Sequence, residues 1–352
     1  MLARKILVLL MLCFATIAFA APPTLNPSHP DRYTVVKGDT LWDIAGRFLK
    51  TPWRWPDVWH VNPQVKNPHL IYPGDELTLT YDANGNPIIT RTKRGRPTVK
   101  LSPGLRKERL DRAIPTIPLD AIQQFLSKPL AVGETELQAA PYIVQPADEH
   151  VVVGAGDRIY VRGIKEEGKA NFSIFRPGIT YKKHTTNKDE EPEILGYEAL
   201  YVGEATVAQF GDPSTLLITS TQRESQTGDR LLPLSEDDIN EHFLPHAPRA
   251  DIDASIISVV DGVAQIGQHQ LVVIDNGSRE KLDVGTVLGV FTRGKTVLDN
   301  VSEERNDTVK LPDERAGTLM VFRVFEKVSF ALVMDATRAI HVFDAVRNPP
   351  EL

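Results

Sequence analysis

The stretch YTVVKGDTL at residues 33–41 decides the fold of the first part of the chain. Its first four residues are aromatic or β-branched, which is typical of a short strand, and Gly38 interrupts them. Asp39 or Thr40 is a suitable N-cap for a two-turn helix, because the apolar positions that begin at Leu41 recur at helical spacing. The stretch therefore predicts a strand that turns directly into a helix.

A second stretch, IYPGDEL at residues 71–77, closes the same unit. Tyr72 to Asp75 suit a type II turn, because Pro73 occupies the second position and Gly74 supplies the positive φ of the third. Between the two stretches, prolines open further helical turns and the pair Asn62-Pro63 ends them. The predicted order is βααβ over about fifty residues, the size of a small independent module.

These residues resemble the LysM family, which binds N-acetylglucosamine-containing glycans such as peptidoglycan. The resemblance rests on residues 33–41, the pair Asn62-Pro63 and residues 71–77, in that order. It implies a sugar groove between the first strand–helix loop and the last helix–strand loop. The residues that it assigns to this groove are Gly38, Asp39, Thr40, Leu41, His69, Leu70, Ile71, Tyr72 and Pro73.

Free backbone groups of these loops are expected to reach acetamido groups, while Leu70, Ile71 and Tyr72 pack on sugar faces. The substitutions Thr40→Arg and Ile71→Asp are therefore expected to weaken glycan binding without unfolding the module. Trp53, Trp55 and Trp59 are expected to fill the core of so small a domain, because it has little else to bury. Trp53 lies off the helical stripe and is the one candidate among them for surface contact.

Residues 1–20 combine two cations, an apolar run and a small-residue cleavage site that ends at Ala20. This pattern predicts a secretory signal peptide. The one cysteine, Cys13, would leave with the signal peptide, so the secreted chain would have neither disulfides nor a catalytic thiol. Removing the two cations changes the formal net charge from −6 to −8, which argues against nucleic-acid binding.

From residue 141 onward, short apolar runs punctuated by Gly, Pro and Asp predict β structure. Residues 141–245 and 250–352 share a faint internal duplication, which predicts two related β-barrel-like units. Three pairs of segments match in order: Phe175–Gly178 with Phe291–Gly294, Leu195–Ala199 with Ala316–Met320, and Gly228–Leu231 with Phe343–Val346. The charged excursions Lys182–Glu193 and Lys295–Asp313 occupy matching positions and are expected to be long exposed hairpin loops.

The predicted fold class is multidomain α+β, a small βααβ LysM module followed by two mainly-β units. The basic stretch at residues 91–112 carries nine Lys and Arg, and it is interpreted as an extended linker or as a contact with an anionic surface. A short docking helix is expected after it. The predicted division is 1–20 signal peptide, 31–80 LysM domain, 81–140 basic linker with the docking helix, 141–245 β-rich domain and 250–352 β-rich C-terminal domain.

The C-terminal segments Gly285–Phe291, Ala316–Leu319 and Val321–Ala331 are similar to the C-terminal domain of periplasmic flagellar-ring proteins. With the LysM module and the signal peptide, the whole resembles the type IV pilus secretin-associated protein family of Gram-negative bacteria. The resemblance implies a periplasmic adaptor that anchors an outer-membrane secretin to peptidoglycan. Whether the adaptor forms a ring-shaped oligomer with the secretin is left open. A flagellar ring in place of the pilus machine is an alternative.

The other alternative is a peptidoglycan-active enzyme with an unrecognised β catalytic domain. The sequence favours a non-enzyme with no cofactor or metal. His242 and His246 have a zinc-ligand spacing, but Pro245 between them prevents the continuous helix that would bring both imidazoles to one face. Neither a G-x-S-x-G elbow nor a phosphate-binding loop occurs in the sequence.

Overall fold

The computed structural model describes residues 23–59, 70–92, 113–126, 131–147, 152–165, 170–185, 190–234, 243–260, 265–299, 301 and 306–350. It contains two compact units, of which the first ends at Ile114 and the second begins at Pro115. The predicted signal peptide and residues 93–112 of the basic stretch lie outside the described residues. Within the described ranges, none of the helices has the length and apolar character needed to span a bilayer.

The first unit is a three-stranded antiparallel sheet packed on short helices. Its strands lie in the order β1 (Arg32–Thr34), β2 (Glu76–Tyr81) and β3 (Pro87–Thr92). The helices are α1 (Leu41–Phe48) and α2 (Trp55–Val58), with a 3₁₀ turn between them. The apolar face of α1 packs with Trp55, Ile71 and Leu77 in one core.

The sheet continues past Thr80, where the sequence-based prediction ended the module. The Asp82 carboxylate accepts the backbone N–H groups of Asn84 and Asn86 at 2.8 and 2.7 Å, which closes a turn between β2 and β3. Ile89 of β3 is buried in the same core as the helices. Because β3 contributes to this core, it belongs to the module rather than to a linker.

The second unit begins with two short helices and continues as β structure. Its elements before the first barrel are α3 (Leu119–Leu126), β4 (Ala131–Val132) and α4 (Glu134–Ala139). Helix α3 lies within the stretch where the sequence predicts a short docking helix. The Arg323 guanidinium donates to the backbone carbonyls of Phe125 and Leu126 at 2.8 and 3.2 Å, which ties the end of α3 to a strand near the C-terminus.

Twelve described strands form the walls of two antiparallel barrels, six in each. The first barrel consists of β5 (Tyr142–Pro146), β7 (Arg158–Arg162), β8 (Asn171–Lys182), β9 (Ile194–Gln209), β10 (Ser214–Thr221) and β12 (Arg230–Pro233). Two short strands, β6 (Val152–Val153) and β11 (Ser225–Gln226), pair beside it. The second barrel consists of β13 (Asp253–Val259), β14 (Leu271–Ile274), β15 (Val287–Thr292), β18 (Glu314–Val324), β19 (Ser329–Ala336) and β20 (Ala345–Arg347). The hairpin of β16 (Thr296–Leu298) and β17 (Thr308–Lys310) projects between β15 and β18.

The two barrels have the same topology. When the six strands of each barrel are numbered in chain order, both rings read 1-2-5-4-3-6. In the first barrel, Ile143 accepts the N–H of Gly228 at 2.8 Å and donates to the carbonyl of Asp229 at 2.9 Å. In the second, Ile256 makes the same two bonds with Phe343 and Asp344, at 2.7 and 3.1 Å. The predicted duplication is confirmed.

One of the three predicted segment matches is wrong. Ile174 and Val290 occupy equivalent positions in the third strand of each barrel, and they pair with Gly203 and Gly317 respectively. The counterpart of Gly317 is therefore Gly203 and not Gly196. The sequence match chose Gly196, seven residues before Gly203, because both glycines follow an apolar residue. The hairpins themselves differ in length by only two residues, with 29 from Ile174 to Gly203 and 27 from Val290 to Gly317.

The predicted fold class, multidomain α+β, is also wrong. Strands account for 46% and helices for 11% of the structure, and the two six-stranded barrels dominate it. The prediction took its class from the helical periodicity of one small module. Apolar residues that alternate with a period of two dominate the remaining chain, so the protein is mainly β and carries a small βααββ module.

Candidate functional site

The first predicted groove loop is a tight turn held by its own carboxylate. Gly38 has a φ of +99°, which is the conformation that glycine tolerates best. The Asp39 carboxylate accepts the N–H of Val36 and the hydroxyl of Tyr33, both at 2.9 Å. The Tyr33 pKa is raised, first by burial and then by this hydrogen bond to Asp39.

Thr40 is the N-cap of α1. Its hydroxyl accepts the N–H of Asp43 at 3.1 Å and donates to the Asp43 carboxylate at 2.7 Å, so one orphan donor of the helix is satisfied. Thr40 and Leu41 are both buried. A ligand could therefore reach this loop at its backbone and its solvent-facing surface, whereas the side chains of Thr40 and Leu41 stabilise the fold.

The second loop is the predicted type II turn. The N–H of Asp75 donates to the carbonyl of Tyr72 at 3.0 Å, and Gly74 has a φ of +93°. Val35 joins this turn to the end of β1, because it donates to Asp75 at 2.9 Å and accepts from Gly74 at 2.8 Å. These two bonds place the second loop beside the first, as the groove requires.

Two residues outside the predicted module hold the second loop. Arg91 of β3 donates to the carbonyl of Leu70 and lies 3.5 Å from the Asp75 carboxylate. Ile114 donates its N–H to the carbonyl of Ile71 at 2.8 Å, and its side chain joins the core. The carbonyls of Leu70 and Ile71 are thus engaged within the chain, whereas the prediction expected free backbone groups in this loop.

The side-chain role predicted for Ile71 is wrong. Ile71 is fully buried in the module core, so its side chain is not placed to pack on a sugar. Thr40→Arg and Ile71→Asp would remove a helix cap and put a charge in the core, so both would destabilise the module rather than only block the groove. His69 lies outside the described residues.

Tyr72 is the exposed aromatic side chain of this loop. An aromatic ring with a polar tip suits a sugar, which presents both C–H faces and hydroxyl groups. Pro73 and Leu70 beside it are partly exposed. Trp55 is buried and Trp59 packs on it edge-to-face with ring centroids 6.2 Å apart, which confirms the core-filling role predicted for these two tryptophans. Trp53 is partly exposed.

The described groove residues therefore lie in two neighbouring loops, but the prediction missed the residues that brace them. Arg91 had been assigned to the linker. An Asn-Gly turn between two apolar alternating runs is a hairpin signal, and Asn84-Gly85 could have located β3. Ile114 follows the basic stretch and no local pattern points to it.

The remaining polar side chains do not assemble a metal site in the part of the chain that the structure describes. Of the two histidines with a zinc-ligand spacing, His246 lies 3.5 Å from the Asp283 carboxylate, and His242 lies outside the described residues.

Comparison with known proteins identifies the first module. Residues 33–80 match the LysM domain. Over 64 residues the chain is 40% identical to a Bacillus subtilis (strain 168) protein described as "Uncharacterized protein YqbP", and the match covers 15% of this chain and 29% of that protein. Residues 33–80 are thus a LysM domain, a binding rather than a catalytic module, and LysM domains bind the N-acetylglucosamine-containing glycan of peptidoglycan.

Proposed function

We propose that this chain is a periplasmic adaptor that binds peptidoglycan through its LysM domain and anchors an outer-membrane secretin of a type IV pilus to the cell wall. The proposal rests on one observation: the first compact unit contains a LysM groove, and the second contains two duplicated barrels. In the proposal the signal peptide is cleaved near Ala20, and the protein remains associated with peptidoglycan and the outer membrane. It has no catalytic role.

The groove geometry supports glycan binding at the two loops. The loops lie side by side because Val35 hydrogen-bonds to the second loop, and the exposed ring of Tyr72 lies at this site. The secretin part of the proposal is supported by the similarity of the C-terminal segments to a flagellar-ring domain and by the order of the modules. Loops on a rigid barrel are a common means of binding a protein partner.

The glycan part is tested by sedimentation with insoluble peptidoglycan sacculi. Tyr72→Ala should weaken binding about fivefold or more, because an aromatic contact of about 1 kcal/mol is lost. The matched control is Tyr81→Ala, which removes an exposed tyrosine at the far end of β2. Equal binding by Tyr72→Ala and the unaltered protein would contradict the placement of the sugar.

The division of labour is tested by deleting residues 23–114, the described extent of the first compact unit. The remaining chain should lose sacculus binding and still co-precipitate the secretin from envelopes solubilised after peptidoglycan digestion. Digestion is needed so that the wall does not bridge the two proteins. Loss of the secretin under these conditions would contradict the assignment of secretin binding to the barrels.

The same preparations separate the two alternative functions. A flagellar-ring protein recovered in place of the secretin would assign the adaptor to the flagellar machine. A cleared zone on a cell-wall gel, retained after deletion of residues 23–114, would identify a peptidoglycan-active enzyme and overturn the adaptor proposal.

A further inference from the structure

Each barrel carries a hairpin arm between its third and fourth strands. The first arm is formed by the end of β8, the start of β9 and the described residues between them, that is, residues 178–185 and 190–198. The second arm is formed by residues 294–299 and 306–313, which include β16 and β17. Because the barrels share one topology, the two arms are equivalent elements. Their surroundings nevertheless differ.

The first arm is docked on the second barrel. Tyr181 packs edge-to-face on Phe330 with ring centroids 6.3 Å apart, and it is only 2% exposed. The Glu193 carboxylate pairs with Arg279 at 2.8 Å and with Lys327 at 2.9 Å. Lys182 and residues 190–193 are exposed, as expected, but the contacts of Tyr181 and Glu193 fasten both ends of this loop to the second barrel.

A second contact holds the start of the same loop. The ring of His184 stacks on Phe343 at 4.7 Å, and its backbone N–H donates to the Asp275 carboxylate at 3.1 Å. The other oxygen of Asp275 accepts the N–H of Ser255 at 2.6 Å. Apolar packing, an ion-pair cluster and a hydrogen bond thus fix this arm to its neighbouring barrel.

The second arm exposes the corresponding apolar face. In the β16–β17 register Val297 lies opposite Val309, and the N–H of Leu311 donates to the carbonyl of Lys295. Val297, Val309 and Leu311 therefore share one face of the ribbon, and they are 38%, 47% and 45% exposed. In the described part of the chain β16 and β17 pair only with each other. A two-stranded ribbon is marginally stable in water unless its apolar face packs on something.

The first barrel has a surface equivalent to the one that receives the first arm. Phe325 directly follows the fourth strand of the second barrel and packs on Phe330 with centroids 5.7 Å apart. Phe210 directly follows the fourth strand of the first barrel, and by the strand register it lies at the position of Val324, one residue before that of Phe325. In the same way, Tyr142 precedes Ile143 as Ser255 precedes Ile256. Phe210 and Tyr142 are each 37% exposed, so this surface presents two accessible aromatic side chains.

A polar pair adjoins these two aromatic residues, since Arg162 lies opposite Tyr142 in the strand register and Asp212 is two residues after Phe210. Arg162, equivalent to Asp275 by the strand register, makes a bidentate pair with Asp212, with both bonds at 3.1 Å. Tyr142 and the Arg230 guanidinium lie in cation–π contact at 5.2 Å. The surface formed by Tyr142, Arg162, Phe210 and Asp212 is named the receiving surface.

We infer that the second arm of one copy docks on the receiving surface of a second copy, as the first arm docks on the second barrel within one chain. The occupant is a second copy because each chain contains both halves of this contact, an arm and a receiving surface that are both exposed among the residues that the structure describes. Such an interface is heterologous, since two different patches meet, and it adds copies head to tail into a ring or an open chain.

The first test is sedimentation velocity over a range of concentrations, with the chain from residue 21 onward. The unaltered protein should show concentration-dependent association. Val309→Lys should raise the Kd of association by about tenfold or more, because it places a charge in the apolar contact. Thr308→Lys is the matched control, since it adds the same charge to the next residue on the opposite face. Leu311→Lys gives a second variant on the apolar face should Val309→Lys unfold.

The second test is site-directed disulfide formation, for which this chain is suited because its single cysteine, Cys13, is absent from it. Val309→Cys and Phe210→Cys, each in a separate copy, should form a cross-linked dimer when mixed and oxidised. Val309→Cys mixed with Leu217→Cys, on the wall of the first barrel, should not. A monomer at all concentrations, association unchanged by Val309→Lys and Leu311→Lys, or cross-linking between two Val309→Cys copies in preference to the mixed pair would each overturn the inference.

Discussion

Arg91 shows how one side chain outside the family match can determine the shape of the groove. It donates to the carbonyl of Leu70 and lies beside Asp75, whose carboxylate also accepts the N–H of Tyr72 at 3.1 Å. One guanidinium therefore connects both ends of the second loop to β3. Arg91 does not need to contact the glycan to affect its binding, because it positions Tyr72.

We predict that Arg91→Ala weakens sacculus binding about fivefold, which corresponds to about 1 kcal/mol for a partly buried charged hydrogen bond. The measurement is sedimentation with sacculi. Arg32→Ala is the charge-matched control, since Arg32 pairs with Glu76 on the same sheet and does not reach the loop. A comparable loss in both variants would show that overall charge, not the position of the loop, determines binding.

At the scale of elements, the first arm depends on a charge cluster that responds to pH. Hydrogen bonds from Arg279 and then Lys327 lower the Glu193 pKa to about 2, whereas an unfolded glutamate titrates near 4.3. Because the folded pKa is the lower one, the stabilisation is complete above about pH 5 and is lost as the pH falls toward 2. The cluster is partly exposed, so solvent screening limits its contribution to about 1 kcal/mol or less.

We predict that Glu193→Gln lowers the thermal midpoint of the barrel unit at pH 7, and that the difference shrinks to less than about half at pH 3. Thermal unfolding of variant and unaltered chains at the two pH values measures this. Glu191→Gln, which removes the same charge from an exposed position on the same arm, is the control. A deficit equally large at both pH values would attribute the loss to packing and not to the carboxylate.

The elements that the sequence predicted well are those fixed by local chemistry. The turn at Tyr72–Asp75 follows from a proline and a glycine at adjacent positions, and Thr40 caps α1 because its hydroxyl reaches Asp43. The burial of Ile71 and the brace by Ile114 depend on contacts between distant parts of the chain, which no local pattern encodes. The spacing of apolar residues alone could not show which side chains of the second loop point into the core.

At the scale of the whole molecule, the duplication was visible in the sequence but its geometry was not. Two matched segments contain a buried strand or a tight turn, so they align at a constant spacing. The third match failed because Gly196 and Gly203 both follow an apolar residue, and no local pattern tells which of them lies opposite Ile174. The predicted fold class was wrong because the short LysM module has clear motifs, whereas the β pattern of the much longer region after it is diffuse.

Head-to-tail association would also change how the LysM domain acts. One small groove binds a glycan weakly, whereas several grooves held in one assembly bind a sacculus by avidity, since each later contact forms at high effective concentration. The full chain should therefore bind sacculi at least about tenfold more tightly than residues 23–114 alone. Val309→Lys should reduce binding by the full chain to the level of the fragment, although it alters no groove residue, and Thr308→Lys should leave it unchanged. Binding isotherms of the four proteins measure this, and full-strength binding by a monomeric Val309→Lys chain would separate glycan affinity from assembly and contradict the avidity argument.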